Sequence, residues 1–212
     1  MFPERLTKGY RAFIEGRFAV ERGRYQQLAG QGQSPSIMVI GCVDSRVSPE
    51  VIFDAAPGEI LVARNVANLV PRYEPPNEED PSHQHGTSAA LEFAVRALKV
   101  RDIIVLGHAF CGGIKAFASD TAPLTASDFI GRWMSQIAPA AAAITAPKDD
   151  AEAYLRQLEF ASVELSLKNL MTFPFVRAAV KEGTLTLHGA YFGVASGKLL
   201  VRNEATGKFE AV

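Results

Sequence analysis

"SIMVIGCVDSR", Ser36–Arg46, decides how this chain folds. Ile37 to Ile40 are all apolar, and the run stops at Gly41. Cys42, Asp44 and Arg46 then follow at every second position. A short run of this kind, rich in Ile and Val, suits a strand buried on both faces. "RDIIVLGH", Arg101–His108, has the same character, and "EILVARN", Glu59–Asn65, is a further strand candidate. Between them lie helical patterns. "SPEVIFDAAPG", Ser48–Gly58, reads as a short helix closed by Pro57 and Gly58. "TSAALEFAVRALKV", Thr87–Val100, sets Leu91, Val95 and Leu98 on one helical face. Alternating strands and helices predict an α/β fold: a mainly parallel sheet with right-handed crossovers and flanking helices.

The ends of the chain extend this frame. Leu6, Tyr10, Phe13, Arg17 and Val20 are spaced for one amphipathic helix, ended by "LAGQGQSP" at Leu28–Pro35. Residues 1–32 thus read as a helical arm, and residues 1–212 as one α/β domain. "PRYEPPNEEDPSHQHG", Pro71–Gly86, has no periodicity and reads as an exposed excursion. After Gly113 the pattern is mostly helical. Asp149 and Glu152 resemble a capping box before a stripe of Leu155, Leu158 and Leu165. "TLTLHGAYFGVASGKLLV", Thr184–Val201, predicts two strands around a glycine-containing turn.

Composition narrows the function. The chain has 212 residues, 48% hydrophobic, and a formal net charge of -1. A near-neutral chain without a basic block offers nothing to nucleic acid or an anionic membrane. No apolar run approaches the roughly 20 residues of a membrane span. Charges interrupt "MFPERLTKGYRAFIEG" where a signal peptide needs apolar residues, so the expectation is a soluble, cytoplasmic protein. "GQGQSP" lacks the third glycine of a dinucleotide fingerprint, and no phosphate-loop pattern occurs.

The chemistry gathers at strand ends. Cys42 closes the first strand, and His108 closes the third, with Cys111 three residues on. Ligands of parallel sheets bind beyond the carboxyl ends of strands, near a switch in strand order. The three side chains can therefore meet, and two thiolates with an imidazole are a donor set that suits zinc, leaving a fourth position open. Two buried cysteines that only fill space, a nucleophilic cysteine and a redox pair are the rivals. The nucleophile loses ground because a phosphatase-type loop wants Arg where Ser48 stands, and the redox pair because no C-x-x-C occurs. Asp44 and Arg46 read either as a helix cap with a surface ion pair, or as a dyad. In the dyad Asp44 reaches the open metal position and Arg46 restrains it by a bidentate pair. His188 reads as a hydrogen-bonding residue of the sheet. His83 and His85 read as solvated loop residues.

"CVDSRVSPE", "PGEILVARNVANLVP", "GTSAALEFAV", "IIVLGHAFCGG" and "LHGAYFGVASGKLLV" together resemble the β-class carbonic anhydrases. The likeness runs from about Gln33 to the C-terminus. It implies one Zn2+ per subunit on Cys42, His108 and Cys111, with Asp44 and Arg46 as the catalytic dyad. It implies reversible hydration of carbon dioxide to bicarbonate by zinc-bound hydroxide. Gln33 is similar to a substrate-facing amide lent across a dimer interface. Val66 and Phe93 fall where the family lines its carbon dioxide pocket. Phe93 replaces a frequent Tyr, and Leu61 a frequent Phe. Val39 stands where the bicarbonate-regulated subclass has Trp, which argues against that regulatory pocket. The backbone N–H of Gly112 is placed to hold a substrate oxygen. Charge counting adds one expectation. Two thiolates neutralise the zinc, so activity should rise toward alkaline pH unless hydrogen bonds to the sulfurs offset them. Relatives that hydrolyse carbon disulfide or carbonyl sulfide, and a non-catalytic zinc protein, are the alternatives. A homodimer or a higher homo-oligomer is expected, with the arm on a neighbouring subunit.

Overall fold

Ile37–Cys42 forms β1, with a hydrogen-bonded strand on each side of it. The computed structural model describes residues 2–75, 86–119, 122–146 and 150–212. Its other strands are β2 (Ile60–Asn65), β3 (Asp102–His108), β4 (Thr186–Phe192), β5 (Leu199–Arg202) and β6 (Phe209–Ala211). They form one sheet in the order β2-β1-β3-β4-β5-β6. The pairs among β2, β1, β3 and β4 are parallel, and β5 and β6 add on antiparallel. From β1 the chain moves outward to β2, then returns across β1 to β3. That reversal places a switch point between the carboxyl ends of β1 and β3.

The helices are α1 (Glu4–Glu15), α2 (Arg17–Gln31), α3 (Pro49–Ile52), α4 (Gly86–Glu92), α5 (Gly112–Ala118), α6 (Phe129–Met134), α7 (Ala138–Ala141), α8 (Ala151–Leu170) and α9 (Pro174–Lys181). α4 runs on into a π-helical stretch, Phe93–Leu98, which the 3.6-residue spacing did not reveal. Alternation along β1 sorts the core. Met38 and Ile40 join Leu91, Ile103, Val163 and Leu170 on one face. Val39 joins Leu106 and Ala190 on the other, where Ile37, Ile60, Val62 and Ile104 are only partly buried.

Four expectations need correction. The N-terminal arm is two helices, not one, because Gly16 (φ -104°, ψ -97°) breaks the run before Arg17 and Val20. The helix after Ser48 ends at Ile52, since Asp54 turns into the left-handed region (φ 46°) before Pro57 is reached. α8 is capped by Asp150, whose carboxylate accepts from the Ala153 N–H at 3.1 Å. Asp149 lies outside the described residues, and Glu152 pairs with Arg156 instead of closing a box. β6 was not foreseen; it follows a turn at Gly207 (φ 70°), whose N–H bonds to Asn203 O at 2.8 Å. His83 and His85 also lie outside the described residues.

Gly107 lets α8 approach β3. A Cβ there would come within 2.6 Å of Val163 Cγ2, a buried, β-branched side chain with little freedom to move. Gly107→Ala is expected to destabilise the fold by about 1–3 kcal/mol, read by urea denaturation. An unchanged midpoint would show that this contact can relax.

Candidate metal centre

Cys42 is the last residue of β1 and His108 the last of β3, so the switch point sets them side by side. Phe110 then adopts a left-handed conformation (φ 58°), and this tight turn delivers Cys111 to the start of α5. The ligand atoms of Cys42, His108 and Cys111 all lie within 4.8 Å of one another. All three residues are buried, and both cysteines are free thiols.

The donor set fits a metal on a second count. His108 Nδ1 is 2.9 Å from Ala109 O, and a carbonyl can only accept, so Nδ1 carries the proton. Nε2 is then the acceptor nitrogen, and it is buried without a hydrogen-bond partner among the described residues. A metal-ligating imidazole makes just this outer contact, which fixes its tautomer and aim. Cys111 pulls the Cys42 pKa down against the opposing effect of burial, with help from the Asp44 N–H, 3.5 Å from the sulfur. The Cys111 thiol is in turn pushed up, by Cys42 and by burial. Two buried cysteine sulfurs and a pre-aimed imidazole fit Zn2+ better than a hard, oxygen-seeking cation.

Asp44 stands beside this cluster, held by Arg46. Arg46 Nε donates to Oδ1 at 2.9 Å and Nη2 to Oδ2 at 2.7 Å, while the Arg46 N–H adds a third bond to Oδ1 at 3.0 Å. The guanidinium holds the Asp44 carboxyl well below the usual carboxylate range. Arg46 Nη2 also reaches Phe110 O at 3.0 Å, tying the end of β1 to the turn that carries Cys111. The bidentate pair expected from the sequence is therefore formed.

Sequence reasoning missed several neighbours. Arg64 donates to Cys42 O at 2.8 Å and Asp44 O at 2.7 Å, bracing the loop from the edge strand; a lone charge in an apolar run was its only signal. Trp133 Nε1 holds Val66 O at 2.8 Å. Glu159 accepts from the Cys111 N–H at 3.1 Å and from Tyr191 Oη at 2.6 Å. Of the expected pocket residues, Val66 packs against the buried cluster that contains Cys42 and Cys111. Gly112 is exposed at the start of α5. Gln33 and Phe93 are exposed, and Phe93 is not among the described hydrophobic residues that pack against the Cys42–Cys111 cluster. His188 bonds to Asp102 Oδ1 at 2.8 Å within the sheet, as its sequence context suggested.

The carbonic anhydrase family model matches residues 37–199, which takes in both strand ends and all three candidate ligands. The chain belongs to the β-class carbonic anhydrases. Beta carbonic anhydrase 3 of Arabidopsis thaliana is 36% identical over 199 residues, spanning 92% of this chain and 74% of that protein. Among solved β-carbonic anhydrases, CcaA superposes with a TM-score of 0.84 at 29% identity, covering 99% of this chain and 98% of the other. Two enzymes described as tetrameric, from the ascomycete Sordaria macrospora, are represented by a chain with a TM-score of 0.78 at 28% identity; 97% of each chain is covered. The β-carbonic anhydrase family likeness thus spans the helical arm as well as the sheet.

Proposed function

We propose that this β-carbonic anhydrase hydrates carbon dioxide to bicarbonate and a proton, using one zinc ion per subunit held by Cys42, His108 and Cys111. The convergence of those ligand atoms within 4.8 Å, with His108 Nε2 otherwise unpartnered, carries the reading. Zinc would supply there a water whose pKa falls from 15.7 toward about 7, which makes it a nucleophile near neutrality. Asp44 would accept a hydrogen bond from that water and so orient it. Arg46 holds the Asp44 carboxylate in place by its bidentate pair. The Gly112 N–H binds a substrate oxygen, and Val66 lines an apolar pocket for carbon dioxide. Gln33 and Phe93, exposed on their own chain, complete that pocket across a subunit interface. Stopped-flow comparison of carbon dioxide, carbonyl sulfide and carbon disulfide tests the assignment. A higher kcat/KM for carbon dioxide is expected; the reverse order would move the function to a sulfur analogue.

The same reading makes residues 1–212 one α/β unit with residues 1–32 as an arm for a second copy. α1 and α2 bury no residue, and Phe2, Leu6, Tyr10 and Val20 stand exposed. Arg17 and Arg24 donate to Ala55 O and Pro57 O, which anchors α2 to its own chain, and α1 packs on α2. A parallel sheet needs both faces covered, and the Val39 face is only partly so. The partner's arm is proposed to cover it. Sedimentation should show a dimer or tetramer, and removal of residues 1–31 should yield monomers with little activity. A fully active monomer from that deletion would contradict this assembly.

A further inference from the structure

Glu159 is a carboxylate in an apolar setting. It is 6% exposed on α8, between Leu158 and Val163, which are fully buried. Acidic side chains are almost never buried this deeply without a partner. Among the described residues none of the ion pairs involves Glu159. Its two oxygens instead accept from neutral donors: Oε1 from the Cys111 N–H at 3.1 Å, and Oε2 from Tyr191 Oη at 2.6 Å. One of those donors is the main chain of a candidate zinc ligand.

The Cys111 turn needs such a support. Phe110 sits at φ 58°, a conformation that is costly for a residue other than glycine. Cys111 stands at the start of α5, where backbone N–H groups have no helical acceptor. Glu159 supplies the acceptor from α8, a helix of 20 residues that packs on β3 and β4. Tyr191, on β4, fixes the carboxylate from the other side. Helix, strand and turn are thereby locked together at the one ligand that a turn, not a strand, carries.

We propose that Glu159 is a positioning residue that presents the Cys111 sulfur for metal capture, with Tyr191 fixing its carboxylate. This rests on the zinc reading of Cys42, His108 and Cys111. The oxygen at Glu159 Oε1 is the operative group, so Glu159→Gln, which retains an acceptor there, should hold zinc within about three-fold of the wild type. Glu159→Leu removes the acceptor, and Glu159→Asp draws it back by one methylene; either should weaken zinc binding by about 10–100-fold, the usual effect of losing a ligand's outer support. Tyr191→Phe should fall between these limits.

The test is zinc affinity, measured by competition with a chromophoric chelator. Thiolate-to-cobalt absorption bands of the Co2+-substituted protein and melting of the metal-free protein are recorded on the same variants. Shifted cobalt bands with weaker zinc binding in Glu159→Asp, and rescue in Glu159→Gln, are the expected results. Glu159→Asp also serves if Glu159→Leu does not fold. Zinc affinity and cobalt bands unchanged in Glu159→Asp would overturn the proposal, whatever happens to melting, because a purely structural role moves only the latter. So would a Glu159→Gln variant as impaired as Glu159→Leu. A wild type that binds neither zinc nor cobalt would instead bring down the zinc reading itself.

Discussion

Asp44→Asn is expected to lower kcat/KM for carbon dioxide hydration by about 10²–10⁴-fold while zinc content stays at the wild-type level. The substitution keeps the shape of the side chain and the acceptor for the Arg46 N–H. It replaces the Oδ2 that Arg46 Nη2 contacts at 2.7 Å with an amide that cannot accept, and it removes the charge. The nucleophilic water then loses the group that orients it. Stability should change little. Arg46 is about half exposed, and exposed ion pairs contribute little. The pH dependence agrees in sign. Because Arg46 depresses the folded-state pKa of Asp44, the stabilisation from this pair is fully present above the unfolded carboxylate range. It is lost only as the pH falls through the lower, folded value. An assay near neutrality therefore separates catalysis from folding. Stopped-flow rates, metal analysis and melting on one preparation check the prediction. Near-wild-type activity in fully zinc-loaded Asp44→Asn would remove Asp44 from the mechanism.

Cys42→Ala should abolish both zinc retention and hydration. Cys42 is the thiol whose pKa is drawn down, chiefly by Cys111. Without it one thiol and one imidazole remain, short of the three protein ligands that an open zinc site needs. The loss should exceed the roughly 10–100-fold cost of losing an outer support, since a ligand itself is gone. The zinc-to-protein ratio after dialysis, with rates measured on the same sample, reads the outcome. Metal binding also has to displace thiol protons, so zinc affinity should weaken as the pH is lowered. A Cys42→Ala protein that keeps stoichiometric zinc would move the metal elsewhere.

The sequence was most informative where one residue type serves one purpose. The two-sided apolar runs ending in Cys42 and His108 specify buried parallel strands, and a switch in strand order then brings their ends together. Asp44 and Arg46 were legible because a two-residue spacing permits the bidentate pair. Glu159 was not legible. In a helical pattern an acid beside Leu158 reads as a solvated position, and only the packing of α8 on β3 and β4 buries it. Arg64 was hidden for a similar reason: its acceptors, the carbonyls of Cys42 and Asp44, belong to a neighbouring strand and its loop. The break at Gly16 was missed because the apolar spacing runs straight across it, and glycine inside a helical pattern does not always end a helix.

The central claim is that zinc on Cys42, His108 and Cys111 makes this β-carbonic anhydrase a carbon dioxide hydratase. Its most direct test is stopped-flow hydration measured against bound zinc, as the metal is stripped by a chelator and then restored. Activity should fall in proportion to the zinc removed and return with it, to about one ion per chain. Hydration that persists in zinc-free protein, or fully loaded protein that fails to hydrate carbon dioxide, would contradict the account.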